Sequence, residues 1–322
     1  MRRQKFVAIG DLNAADDVLV DILRGTKLVN KVNRWSGGKT HLVQIGDLWN
    51  RGPGARKATE LLLQLQPEAE AAGGKVSILL GNHEVMTALG VEAYCTTEEY
   101  LAFASLQARE RWPKRVHKAM MKIYRSTKKG DIVPPLAPRV ELWMMENVPG
   151  KKALRRALSH SGKLGKAIRK WPVAIKEDGL VFVHAALTPL WAERGIEALN
   201  EEAKRLWATK PMHIADLDKD CMFRNNDGPL CDRSFACEDG SEIKKQVDRS
   251  LKLLGVEHMI IGHTQTAYVP NGRAGRICTR FKGKLVCIDV GLTSGADTPR
   301  TALVIEQGKG FEWSSGKTRA LW

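Results

Sequence analysis

Short apolar runs alternate along the first ninety positions with stretches whose apolar residues recur at helical spacing. The run 6–9 is of strand length, and Val18, Leu19, Ile22 and Leu23 after it share one helix face. The run 42–45 precedes a helix through Leu61, Leu62, Leu63 and Leu65, and the run 76–80 precedes a short helix over about 84–89. Three βα units in succession predict parallel neighbours in one sheet. From 91 to 170 strand-like runs vanish, and Lys, Arg, Trp and Met dominate around the breaker cluster 133–138. This predicts a helical insertion of two arms, 109–129 and 151–170, joined by a proline-rich turn. Its tryptophans Trp112 and Trp143 are expected to pack it onto the main fold rather than to stack. Strand grammar resumes at 172, where two apolar runs flank Asp178-Gly179, a hairpin signal. Residues 190–207 and 241–254 read as helices, 210–240 as an irregular loop, and 259–261, 285–288 and 302–305 as further strands. The expectation is an α/β fold, one domain over 1–322 with the insertion 91–170 inside it.

Charge changes this picture in one place. The chain of 322 residues has a formal net charge of +15. Residues 109–170 hold 18 Lys and Arg against 4 acidic residues, so the insertion carries nearly all of the excess. A basic patch of this kind suits an anionic partner, either nucleic acid or an acidic protein surface. No RNA- or DNA-binding motif accompanies it. The six cysteines form no CxxC pair, and a chain of this length needs no disulfide staples, which points to a reducing compartment. No apolar run approaches the roughly 18 residues of a spanning helix. With only four residues ahead of the first strand, the expected location is the cytoplasm, or an organelle interior after removal of a presequence.

Candidate chemistry gathers at the strand ends. Ile9-Gly10-Asp11, Ile45-Gly46-Asp47, Leu80-Gly81-Asn82-His83 and Ile261-Gly262-His263 each place a metal-ligand residue type after a glycine that closes an apolar run. A fifth run ends on His184 without the glycine. Ligands of open α/β sheets bind beyond the carboxyl ends of the strands, so these five ends are expected to converge. With Asn13 they offer two carboxylates, two amides and up to three imidazoles, the inventory of a site for two divalent ions. Two ions about 3.5–4 Å apart lower the pKa of bound water towards about 7 and hold phosphate oxygens. Phosphoester hydrolysis is the reaction such a site predicts.

These motifs stand in the order seen in the calcineurin-like metallophosphoesterases: Gly10-Asp11, Gly46-Asp47 with Arg51-Gly52-Pro53, Leu80-Gly81-Asn82-His83-Glu84, Val183-His184 and Gly262-His263-Thr264. With the stretch 38–44, Arg51-Gly52-Pro53 and Gly228-Pro229-Leu230, the chain more closely resembles the Shewanella-like protein phosphatases. The resemblance covers about residues 5–90 and 171–305. It implies a double-sheet sandwich flanked by helices, two divalent metals, and phosphoproteins or other phosphomonoesters as substrates. It further implies Asp47 as the bridging carboxylate, Asp11 and Asn13 on the first metal, and Asn82, His184 and His263 on the second. His83 takes the place of the general acid, and Arg51 and Arg233 those of the phosphate clamp.

Three departures accompany the resemblance. The family has histidine where this chain has Asn13, which weakens or empties the first metal site and favours Mn, or Mg, over Fe or Zn. The family has an aspartate where this chain has Asn50, and an amide supports an imidazolium less well than a carboxylate does. Ala185 and Ala186 replace two glycines and put methyl groups into a crowded turn. Two functions are therefore expected in competition. One is a metal-dependent phosphomonoesterase of impaired activity. The other is a pseudophosphatase that serves as a binding module, docking an anionic partner through the basic insertion.

Overall fold

Two packed sheets carry the core in a computed structural model that describes residues 4–125, 136–295 and 297–322. The strands are β1 (Phe6–Ile9), β2 (His41–Gln44), β3 (Lys75–Ile78), β4 (Ala174–Glu177), β5 (Leu180–Val183), β6 (His258–Ile261), β7 (Cys278–Arg280), β8 (Leu285–Cys287), β9 (Thr301–Glu306), β10 (Lys309–Ser314) and β11 (Lys317–Ala320). The first sheet runs β11-β10-β9-β1-β2-β3 and the second β4-β5-β6-β8-β7. Within each sheet three strands are parallel, β1-β2-β3 and β5-β6-β8, and the outer strands are antiparallel. Parallel strands covered on both faces read as unbroken apolar runs. Phe6, Val7, Ala8 and Ile9 are all buried, as are Leu180, Val181, Phe182 and Val183. The sheets meet where the Phe6 and Phe182 rings lie 5.6 Å apart.

Helices close the outer faces. Asp16–Gly25 buries Val18, Leu19, Ile22 and Leu23, the stripe its sequence pattern predicts. Each such side chain contributes about 1.5–3 kcal/mol when taken out of water. The helix Ala55–Ala71 turns Ala58, Leu62, Leu65 and Ala69 inward, while Leu61 and Leu63 sit at the margin. The hairpin of β4 and β5 forms as expected, with Asp178 at φ 50° and Gly179 at φ 80°, the left-handed pair of a type I′ turn. The region 210–240 is mostly turns, with one 3-10 turn at Ile214–Asp216 and a short helix at Ser234–Cys237. The sequence reading misses β7 and the closing hairpin of β10 and β11.

Between β3 and β4 the described residues form the helices Asn82–Ala88, Thr97–Ala102, Leu106–Arg125, Leu136–Asn147, Lys151–Leu158 and Lys163–Ile168. The second basic arm is thus two short helices, broken at 159–162. The proline-rich turn lies outside the described residues except for its last positions, which open Leu136–Asn147. Trp112 joins the core and Trp143 packs against it, as expected, but the two rings also stack on each other, 5.7 Å apart at 9°, and tie two insertion helices together. Leu154, Leu158, Leu164 and Ile168 join the core, and Glu92 ties down Lys151 and Arg155. Among the described residues no helix is long and apolar enough to cross a membrane. All six cysteines are free.

Candidate metal centre

The three parallel strands of each sheet end at one place. Asp11 follows β1, Asp47 follows β2, Asn82 and His83 follow β3, His184 follows β5, and His263 follows β6. A cavity of about 220 Å³ is lined by Asp11, Asn13, Asp47, Asn82, His83 and His263, with Arg51 and Arg233 on its walls. His184 lies beneath it, fully buried. The sixth end, beyond β8, adds Asp289 to the same cavity, a carboxylate that the sequence reading missed.

Asp47 sits at the centre. Its carboxylate lies 3.4 Å from His184 Nε2 and 3.8 Å from His83 Nε2, and it accepts the His83 backbone N–H at 3.0 Å. One ligand atom each of Asp47, His184 and His263 falls within 4.8 Å of the others. Asn82 Oδ1 is 3.0 Å from His184 Nε2. The other nitrogen of that ring, Nδ1, donates to the Ile45 carbonyl at 2.9 Å, which turns the Nε2 lone pair into the cluster. Asp11 accepts the His263 backbone N–H at 3.0 Å.

The backbone at this centre is unusual. Asn13, Ala14, Asp47, Asn50, Arg51 and His263 all have φ between 44° and 70°, a region costly for residues with a Cβ. Each such residue stores about 1–3 kcal/mol, sustained by surrounding bonds. Glu84 supplies the largest set of these bonds. Its two carboxylate oxygens accept N–H groups from Asp47 (2.9 Å), Leu48 (2.7 Å), Trp49 (3.2 Å) and Gly81 (2.9 Å). Glycine is required at 81 because a Cβ there would collide with the Asp47 carboxylate.

Electrostatics give the centre its character. Burial, reinforced by Asp289, drives Asp11 well above the carboxylate range, and burial with Asp47 close by lifts Asp289 to about 6. Burial and Asp47 push Glu84 to about 7. Burial works against charge on His184, but Asp47 and Asp11 outweigh it and raise the ring to about 10. Asp47 is also disfavoured by burial, yet His184 and His83 hold it below its usual range. Burial and then His184 lower His263 to about 3, and burial lowers His83. A buried pocket with this many carboxylates calls for a cation.

The residues present fit divalent ions. The donors are carboxylate, amide oxygen and imidazole. Asn13 Oδ1 is buried without a hydrogen-bond partner, and it does not cap the following helix, whose N-cap is Ala15. His184 Nε2 lies between Asp47 and Asn82, where positive charge is wanted.

The chain is 30% identical over 301 residues to Shewanella-like protein phosphatase 2 of Arabidopsis thaliana, spanning 91% of this chain and 72% of that protein. The chain belongs to the Shewanella-like protein phosphatases. It is also 28% identical over 309 residues to an uncharacterized Schizosaccharomyces pombe protein, covering 93% of this chain and 76% of the other. Its fold matches the crystal structure of a cold-active protein-tyrosine phosphatase from a psychrophilic Shewanella, with a TM-score of 0.71 and 21% identity over 99% of this chain and 81% of that one. No protein-family model matches the chain. Membership makes this α/β double-sheet fold a metallophosphoesterase fold, which implies divalent metals.

Every site residue named from the sequence is at or beside the cavity. Arg233 is anchored by its Nη1, which donates to the His263 carbonyl at 2.9 Å and to Thr264 Oγ1 at 3.1 Å. Asn50 Oδ1 accepts from His83 Nδ1 at 2.8 Å, so the amide holds the place expected of the family's aspartate. Ala185 and Ala186 are buried, and neither adopts positive φ, so the turn accepts their methyl groups without left-handed strain. Tyr94, Gln265 and Tyr268 also line the cavity, and no pattern in the sequence singles them out. Asp289 was within reach, since it follows the apolar run 285–288 as His184 follows 180–183.

Proposed function

We propose that the protein hydrolyses phosphomonoesters on phosphoproteins with two divalent ions, at a rate held down by its first metal site. The observation that carries this reading is the meeting of five of the six parallel strand ends, two arginines and His83 on one cavity of about 220 Å³, with His184 of the sixth buried beneath it. In it Asp11, Asn13 and Asp47 would hold the first ion, and Asp47, Asn82, His184 and His263 would hold the second. Manganese suits these hard oxygen and imidazole donors best, with Mg, Fe and Zn as alternatives. Bound ions supply the positive charge that acidifies water and neutralises phosphate oxygens. The chain's own residues do the rest. Arg51 and Arg233 bind the phosphate through paired N–H donors. His83 Nε2 faces the cavity and delivers a proton to the departing oxygen, while Asn50 holds the opposite nitrogen. The names of the relatives, protein phosphatases and a protein-tyrosine phosphatase, support a phosphoprotein substrate.

The impairment rests on Asn13. An amide oxygen replaces an imidazole, so the first ion is held more weakly. Asn13→His is expected to lower the Mn concentration needed for half-maximal hydrolysis of p-nitrophenyl phosphate, and an unchanged requirement would show that Asn13 is no metal ligand. A second reading, a module that binds an acidic partner with or without catalysis, is favoured by one observation. Arg111, Lys114, Arg115, Lys118 and Lys122 are all exposed along the helix Leu106–Arg125. Binding to an anionic polymer should then weaken steeply with salt, and salt-independent binding would remove that reading.

A further inference from the structure

Asn50 is held from behind as well as facing His83. Its backbone N–H donates to Glu99 Oε1 at 3.1 Å, and its side-chain Nδ2 lies 3.3 Å from Glu99 Oε2 and 3.2 Å from Cys95 Sγ. Its Oδ1 accepts from His83 Nδ1 at 2.8 Å and from the Thr87 hydroxyl at 3.0 Å. Glu99 comes from the helix Thr97–Ala102, outside every motif of the metal centre, and is 0% exposed. Thr96 caps that helix by accepting the Glu99 backbone N–H, which fixes where the carboxylate starts.

An amide has two ends of similar shape and opposite hydrogen-bonding sense. Burial raises Glu99 to about 7, and above that pH its carboxylate accepts only, so it requires the NH₂ group there. The oxygen must then face His83, and His83 must carry its hydrogen on Nδ1. This leaves Nε2, turned towards the cavity, as the nitrogen that takes up a second proton and gives it to the departing oxygen, whereas a ring whose Nδ1 faced an NH₂ group could not be doubly protonated. We propose that Glu99 is a positioning residue for His83: by fixing the Asn50 amide it sets the imidazole tautomer, and it returns to the site the carboxylate lost when asparagine occupies position 50. Asn50 backed by Glu99 gives the chain of bonds behind His83 one carboxylate, as a single aspartate would. The carboxylate has moved one residue further from the ring and is contributed by the segment that follows the third motif.

This inference rests on His83 as the proton donor, and the test separates the two. Glu99→Gln keeps the volume but puts an NH₂ opposite Asn50 Nδ2 while its oxygen stays on the Asn50 backbone N–H. Two donors then face each other, and rotation of the Asn50 amide relieves them, setting its NH₂ against His83 Nδ1. The ring must switch to the Nε2–H tautomer. The ¹⁵N NMR pattern of the His83 ring, assigned by its loss in His83→Asn, reports this directly in the Mg²⁺-loaded protein. Turnover of p-nitrophenyl phosphate with Mn²⁺ should fall roughly 100-fold with KM little changed. Adding Asn50→Asp should reverse both effects, because one oxygen of Asp accepts from His83 and the other from Gln at 99. A Glu99→Gln ring pattern identical to wild type, or a double variant that stays in the switched tautomer, overturns the proposal. Should Glu99→Gln alone fail to fold, recovery of folding in the double variant supports the proposal and its continued failure refutes it. A wild type without hydrolysis removes the enzyme reading, while the NMR pattern still decides the role of Glu99.

Discussion

Asp289→Asn tests the electrostatic logic of the metal centre without relying on catalysis. In the metal-free protein the Asp289 carboxyl titrates at about 6 instead of 3.8, because it is buried and shares the cavity with Asp11 and Asp47. A carboxyl whose folded-state pKa is raised favours the fold only when protonated. The penalty on the fold is therefore absent below about pH 3.8, grows between pH 4 and 6, and is complete above that. A rise of this size corresponds to about 3 kcal/mol at pH 8. Asparagine removes the charge yet keeps an oxygen for the Gly291 N–H, which Asp289 accepts at 3.0 Å. The metal-free variant should thus melt about 6 °C higher than wild type at pH 8, at roughly 2 °C per kcal/mol for a chain of this size. The gain should vanish near pH 4. Manganese should narrow the gap: wild type gains about 2.7 kcal/mol at a hundred times its Kd, and the variant, with one carboxylate fewer beside Asp11 and Asn13, gains less. Differential scanning calorimetry with EDTA and with Mn²⁺ measures both. A metal-free variant less stable than wild type at pH 8, or an equal Mn²⁺ shift in the two proteins, would refute the reasoning.

Other residues give further tests. Glu84→Ala leaves four buried backbone N–H groups without acceptors, and at pH 6 should lower stability by about 3–5 kcal/mol in urea unfolding; a loss below about 1 kcal/mol would mean water replaces the carboxylate. His184 holds its proton up to about pH 10, so a metal must displace it, and Mn²⁺ affinity should rise roughly tenfold per pH unit between 6 and 8. Calorimetric titration in buffers of different ionisation enthalpy checks this, and binding without proton release contradicts it. Arg233→Lys keeps the charge but loses the paired donors, and should raise KM for p-nitrophenyl phosphate roughly tenfold with kcat less affected; an unchanged KM would take Arg233 out of the phosphate clamp.

The centre was more legible in the sequence than the frame around it. Parallel strands covered on both faces leave unbroken apolar runs, and the ligand residues follow those runs directly, so Asp11, Asp47, Asn82, His184 and His263 can be read by position. Asp289 obeys the same grammar but lacks both the glycine and a neighbouring motif. Glu84 was visible as a motif residue, but its four backbone bonds depend on the distant chain at 47–49 folding against it. Glu99 was beyond reach for the same reason, since only tertiary packing brings residue 99 to residue 50. The hairpin of β10 and β11 was missed although Ser315-Gly316 forms a left-handed turn between alternating residues. Trp112 and Trp143 pack with the core as read, but their mutual stacking was hidden because isolated aromatics leave the same trace whether or not they meet.

The central claim is that these strand ends form a hydrolytic two-metal centre. Titrating metal-free protein with Mn²⁺ while following both bound metal and p-nitrophenyl phosphate hydrolysis tests it most directly. Hydrolysis should appear as the second ion binds and level off at two ions per chain, with Asp47→Asn inert throughout. A wild-type protein that binds no Mn²⁺, or that fills both sites without hydrolysis, would contradict it.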